Sequence, residues 1–174
     1  TLDGEAQGPW QGRTDEGQSG IAIELCSHFL IENVSLRDFS GPALQLSHTG
    51  VEGMPITHGG NLTGITATGS FIGVRLDVRA EYVNAAQIHC ENNLTGLVIH
   101  GGNCKVTNSN FVTNRDGIVL QDKDNGSHGV IAACLSNHNG RYALLATDVR
   151  NGMAIDGCCF FYGEILIRDC VGVQ

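Results

Sequence analysis

A short apolar motif returns along this chain at nearly constant spacing, and an internal repeat of this length constrains the fold more than any other feature. The segments IAIEL (21–25), ALQL (43–46), GVRL (73–76), GLVI (96–99), GIVL (117–120), YALL (142–145) and EILI (164–167) end at residues 25, 46, 76, 99, 120, 145 and 167. The intervals are 21, 30, 23, 21, 25 and 22 residues. A unit near 22 residues cannot bury its own apolar side, so it must stack on its neighbours. The 30-residue interval marks an inserted loop around HTGVEGMPITHGG (48–60).

Each motif alternates as a strand does. The inward pairs are Ile23/Leu25, Leu44/Leu46, Val74/Leu76, Leu97/Ile99, Ile118/Leu120, Ala143/Leu145 and Ile165/Ile167, all apolar. A second strand precedes each anchor, in FLIENVSL (29–36), LTGITAT (62–68), VNAAQIHC (83–90), CKVTNSNF (104–111), HGVIAACL (128–135) and NGMAIDGC (151–158). No stretch sustains helical spacing, and the turns use Asn, Asp, Gly and Ser. The pattern predicts an all-β fold: a single-stranded parallel β-helix of about seven coils over residues 20–174. Right-handed crossovers are expected, since about 98% of parallel connections have that hand. Residues 1–19, polar and rich in Gly, read as an extended lead-in or the remnant of a preceding domain.

The residues between the inward pairs form an outward column: Glu24, Gln45, Arg75, Val98, Val119, Leu144 and Leu166. It is polar for three coils and apolar for four. Contiguous exposed apolar surface marks an interface, so Val98, Val119, Leu144 and Leu166 are expected to pack against other copies of the chain.

Composition narrows the partners. Asp and Glu outnumber Lys and Arg 18 to 10, for a net charge of −8, which argues against nucleic acid. No apolar run approaches the roughly 18 residues needed to span a bilayer, and no signal-peptide pattern opens the chain, so no membrane insertion is expected. The seven cysteines lack any C-x-x-C pair and read as free, buried thiols in a chain made in a reducing compartment. No metal site or cofactor is expected.

Candidate chemistry rests on carboxylates, since glycan hydrolysis uses a pair about 5 to 10 Å apart. Candidates are Asp77, Glu81, Asp122 and Asp124, within a wider set that includes Glu91, Asp116, Asp148, Asp156 and Glu164. An acidic solenoid offers many such pairs, and turn or solvating roles compete at each position. Arg75, Asp77, Arg79 and Tyr82 form a patch able to hold a sugar. QDKDNGSHG (121–129) lacks the downstream Glu of a calcium loop and reads as a polar loop. HGGN occurs at 58–61 and at 100–103 and reads as equivalent turns, while the sequons at Asn33, Asn61, Asn93 and Asn125 read as incidental.

The cadence of SGIAIELCSHFLIENVSLRDFSGPALQL and NLTGLVIHGGNCKVTNSNFVTNRDGIVL resembles the pectate-lyase-like right-handed β-helices, above all bacteriophage tailspike and appendage proteins. The resemblance spans about residues 20–170. It implies a homotrimer in the virion, made in the bacterial cytoplasm, that binds and in some cases depolymerises bacterial surface polysaccharide. A non-enzymatic structural or adhesive shaft, or a free-standing, extracellular polysaccharide lyase or epimerase, are the alternatives. No Asp cluster with a neighbouring Arg maps the calcium site of pectate lyase, so no catalytic residue carries over.

Overall fold

The computed structural model describes residues 1–4, 15–47, 57–121 and 127–174. It is a parallel β-solenoid with no helix among the described residues. The coil has three sides rather than two. Sheet I stacks Ile21–Glu24, Pro42–Ser47, Ile72–Leu76, Thr95–Ile99, Asp116–Gln121, Tyr142–Thr147 and Glu164–Arg168. Sheet II stacks Leu30–Glu32, Asn61–Thr63, Asn84–Ala86, Cys104–Thr107, Gly129–Ala132 and Met153–Asp156. Sheet III stacks Leu2–Asp3, Ser35–Arg37, Thr66–Thr68, His89–Glu91, Asn110–Val112, Leu135–Asn137 and Cys159–Phe161. The chain visits sheets II, III and I in turn six times, so about six full turns make the stack, in keeping with the about seven coils the anchors predicted.

The long second strand of the repeat is two strands because its middle residue turns sharply. Asn33, Gly64, Gln87, Asn108, Ala133 and Gly157 hold one corner column, all at positive φ between 49° and 64°. One left-handed residue rotates the chain from sheet II into sheet III, where Asn and Gly tolerate that conformation most easily. A second column, Asp38, Gly69, Asn92, Thr113, His138 and Tyr162, repeats the device after sheet III. Within the lead-in, Leu2–Asp3 already pairs with Leu36–Arg37.

The core is aliphatic, as the low aromatic content requires. Leu44, Val74, Leu97 and Ile118 stack down sheet I, Leu62, Ala85, Val106 and Ile131 down sheet II, and Leu36, Ala67, Cys90 and Phe111 down sheet III. The seven cysteines are free; Cys90, Cys104 and Cys134 are buried, whereas Cys159 is exposed on the outer face of the last sheet III strand.

Two inward pairs slip. Ile21 and Ile23 lie opposite Leu44 and Leu46, so Ala22 takes the outward place expected for Glu24. Leu25 lies beyond the strand at positive φ and is exposed. In the sixth strand of sheet I, Ile118 pairs with Leu144 and Val119 with Leu145. Leu144 is therefore a core residue, 2% exposed, and Leu145 takes its outward place. The uninterrupted apolar run Ala143–Ala146 carries no alternation from which the register could be read.

One corner is stitched by side chains. Asn93, Asn114 and Asn139 lie on successive coils and are buried. Asn114 Oδ1 accepts from the Asn93 backbone N–H at 2.9 Å and from Asn93 Nδ2 at 3.0 Å, and Asn139 Oδ1 accepts from the Asn114 N–H at 3.0 Å. Their Nδ2 groups donate to the Ala67, Cys90 and Phe111 carbonyls, each at 3.0 Å. Ser70 extends the ladder, its N–H donating to Asn93 Oδ1 at 2.8 Å. Burial of Asn93 leaves no room for a glycan at that sequon.

Candidate functional site

The outward face of sheet I carries a groove of about 220 Å³. Its position follows from the strand register, which aligns Arg75, Val98, Val119 and Leu145 on the outer surface. Val98 and Val119 point outward as expected but are only 5% and 7% exposed. With Ile72 they form a small external cluster against which Phe71 and Leu145 pack. Arg75, Arg115 and Arg141 line the same groove, so the apolar strip is a floor beneath polar walls rather than an open surface.

The walls are ordered by charge pairing. Asp116, 2% exposed, is clasped by two guanidinium groups. Arg141 binds it bidentately, Nε to Oδ1 at 2.8 Å and Nη2 to Oδ2 at 2.6 Å, and Arg115 Nη2 reaches Oδ2 at 3.1 Å. The fork geometry of Arg suits this buried carboxylate, which would be costly to desolvate unpaired. Arg141 also lies over the Tyr142 ring, 4.6 Å from its centroid. Arg75 pairs with Glu16 from the lead-in, and its buried Nε has no hydrogen-bond partner among the described residues.

The other end holds a hydrogen-bonded chain across three coils. His100 Nδ1 lies 3.2 Å from Asp77 Oδ1 and His100 Nε2 lies 2.9 Å from Gln121 Oε1. Burial opposes ionisation of Asp77, but the hydrogen bonds from His100 and the Val78 N–H, with the Arg75 charge, outweigh it and hold the carboxyl below its usual range. An Asp fixing one imidazole nitrogen leaves the other to face a ligand or its amide neighbour, an arrangement suited to hydrogen bonding and proton exchange.

The sequence-derived patch divides. Arg75 and Asp77 belong to this face, whereas Arg79 and Tyr82 follow the next corner, both at positive φ. Glu81 is buried there and accepts from Asn103 Nδ2 at 2.9 Å, so it does not line the groove with Asp77. Asp122 and Asp124 lie outside the described residues. The two HGGN motifs are not equivalent: His58 aligns with Glu81, while His100 directly follows the strand Thr95–Ile99 and sits one coil from Asp77. Glu81 also bridges to Gly102, so the first motif is offset from the second by two residues. Sequence reasoning missed His100, Arg115 and Arg141; their signal was the coil spacing, which puts residue 100 one repeat after 77 and residue 141 one repeat after 116. No group of three or more metal-ligating side chains occurs among the described residues.

Compared with known proteins, the chain matches no family profile, and neither the curated proteins nor the solved structures include a significant match to it.

Proposed function

We propose that this chain is a saccharide-binding β-solenoid shaft whose attachment surface is the sheet I groove. The observation that carries this reading is the groove itself: an apolar floor of Val98, Val119 and Leu145 beneath Arg75, His100, Arg115, Gln121 and Arg141. A pyranose presents an apolar face and a ring of hydroxyls, and a shallow cleft of this composition offers both kinds of contact. Fixed donors on a stiff scaffold lower the ordering cost of binding. Following the family resemblance, the ligand is a bacterial surface polysaccharide, and the shaft is part of a trimeric phage tail appendage.

Binding to arrayed bacterial surface polysaccharides tests this, using the intact chain beside Arg141→Ala and His100→Ala. The expected outcome is retention of one glycan class and at least a tenfold weakening in each variant. A folded chain that retains no glycan overturns the reading. Mass spectrometry of the retained glycan separates a binding shaft, which leaves it intact, from a glycosidase or lyase, which shortens it. Light scattering addresses the competing use of the face: a stable oligomer lost in Val119→Asp would assign Val98, Val119 and Leu166 to subunit packing.

A further inference from the structure

Cys134 and Cys158 occupy the same corner on successive coils. Ala132 pairs with Asp156 and Leu135 with Cys159, so the residues between them stack as Ala133 with Gly157 and Cys134 with Cys158. Two backbone hydrogen bonds clamp this register, from the Ala133 N–H to the Asp156 carbonyl and from the Cys159 N–H to the Cys134 carbonyl, both at 2.9 Å. The sulfur atoms lie against consecutive carbonyls. Cys134 Sγ lies 3.3 Å from Ala132 O, and Cys158 Sγ lies 3.5 Å from Ile131 O and 3.4 Å from Asp156 O. Neighbouring strands run about 4.8 Å apart, inside the range of roughly 4.4 to 6.8 Å between Cα atoms that a disulfide spans.

We propose that Cys134 and Cys158 form a redox-modification site at which a small-molecule disulfide of the glutathione type installs a covalent link between two coils. No other cysteine stacks on a thiol in this way. Cys90 lies between Ala67 and Phe111, Cys104 lies opposite Gly129, and Cys159 sits outside the core on the sheet III surface. Cys158 is partly exposed and is the point of attack. Its thiolate displaces one thiolate from the small disulfide and leaves a mixed disulfide. The Cys134 thiolate then attacks Cys158 Sγ and expels the second small thiolate. Two protein thiols are oxidised, one small disulfide becomes two thiols, and the two cysteine protons pass to them. Burial pushes the Cys134 thiol up to about 11, so the second step quickens as pH rises.

The test incubates the folded chain with oxidised glutathione, traps free thiols by acid quenching and alkylation, and maps the peptides. The expected product is a Cys134–Cys158 peptide lacking two hydrogens, with a thermal midpoint raised above the reduced protein. In Cys134→Ser the glutathione adduct should persist on Cys158, and in Cys158→Ser no link to Cys134 should form. A chain that stops at the adduct, or that joins Cys158 to Cys159 instead, overturns the proposal, as does a link whose formation leaves the midpoint unchanged. A Cys134→Ala/Cys158→Ala chain that unfolds cooperatively, with a midpoint indifferent to oxidised glutathione, ties the gain to this pair.

Discussion

Asn114 is an acceptor and a donor at the centre of the ladder: its side chain receives two hydrogen bonds from Asn93 and donates to the Cys90 carbonyl and to Asn139 Oδ1. Replacing it with Ala removes the acceptor of the buried Asn93 N–H and of one Asn93 amide hydrogen, and a donor to that carbonyl. Asn114→Ala should lower unfolding free energy by about 3 kcal/mol, since each stranded buried group costs about 1–3 kcal/mol, with urea denaturation as the measurement. A surface-like loss of a few tenths would show that water substitutes for the ladder. Ala133 presents the opposite case, an L-residue held at φ 53° where its column neighbours Gly64 and Gly157 have no Cβ to strain. Ala133→Gly should raise stability by about 0.5–1 kcal/mol in the same assay, because relief of the left-handed strain exceeds the entropic cost of Gly. The ladder was legible in principle. Ser70, Asn93, Asn114 and Asn139 are spaced by 23, 21 and 25 residues, the same intervals that separate the anchors ending at 76, 99, 120 and 145. Asn is so common in turns that its inward direction showed only once the third side of the coil was known.

At the scale of the element, the glycines that open the sheet I strands are determined by what lies behind them. A Cβ on Gly117 would collide with Ser136 Oγ and Asn139 Nδ2, and one on Gly73 would come within 2.6 Å of Cys90 Sγ. At Gly140 the nearest atoms would be 3.9 Å away. Gly117→Ala is therefore expected to cost about 2–3 kcal/mol by displacing ladder side chains, while Gly140→Ala should be near neutral. Paired urea melts measure both, and equal effects would contradict this account of the corner. Strand positions were readable wherever apolar and polar residues alternate, as in Ile72–Leu76. They were misread at Tyr142–Thr147, where four apolar residues in succession permit either register and only the ladder to Asp116–Gln121 decides between them. The groove was half legible for a related reason. Its floor came from the outward column, but its walls combine residues one coil apart, and that neighbourhood depends on knowing the register to a single residue.

For the whole molecule, contacts run almost entirely between a coil and the coils directly above and below, so stability adds along the axis rather than through one centre. Among the described residues the last sheet I strand has a partner on one side only, and Ile165 and Ile167, inward by register, are about half exposed there. Hydrogen exchange read by mass spectrometry should therefore show strongest protection across residues 95–121 and progressive loss towards Ile21–Glu24 and Glu164–Arg168. Uniform protection would argue for a single cooperative unit. Coil length varies along the chain: 30 residues separate Leu46 from Leu76, 21 separate Ile99 from Leu120 and 26 separate Leu120 from Ala146. The strands keep their pairing throughout: Leu46 meets Leu76, Ile99 meets Leu120 and Leu120 meets Ala146. The pitch of the rod is thus independent of the length of its thread. Chain can be paid out or reeled in between rungs without moving any of them, so such a protein can change the reach of a single coil while its axis stays the same.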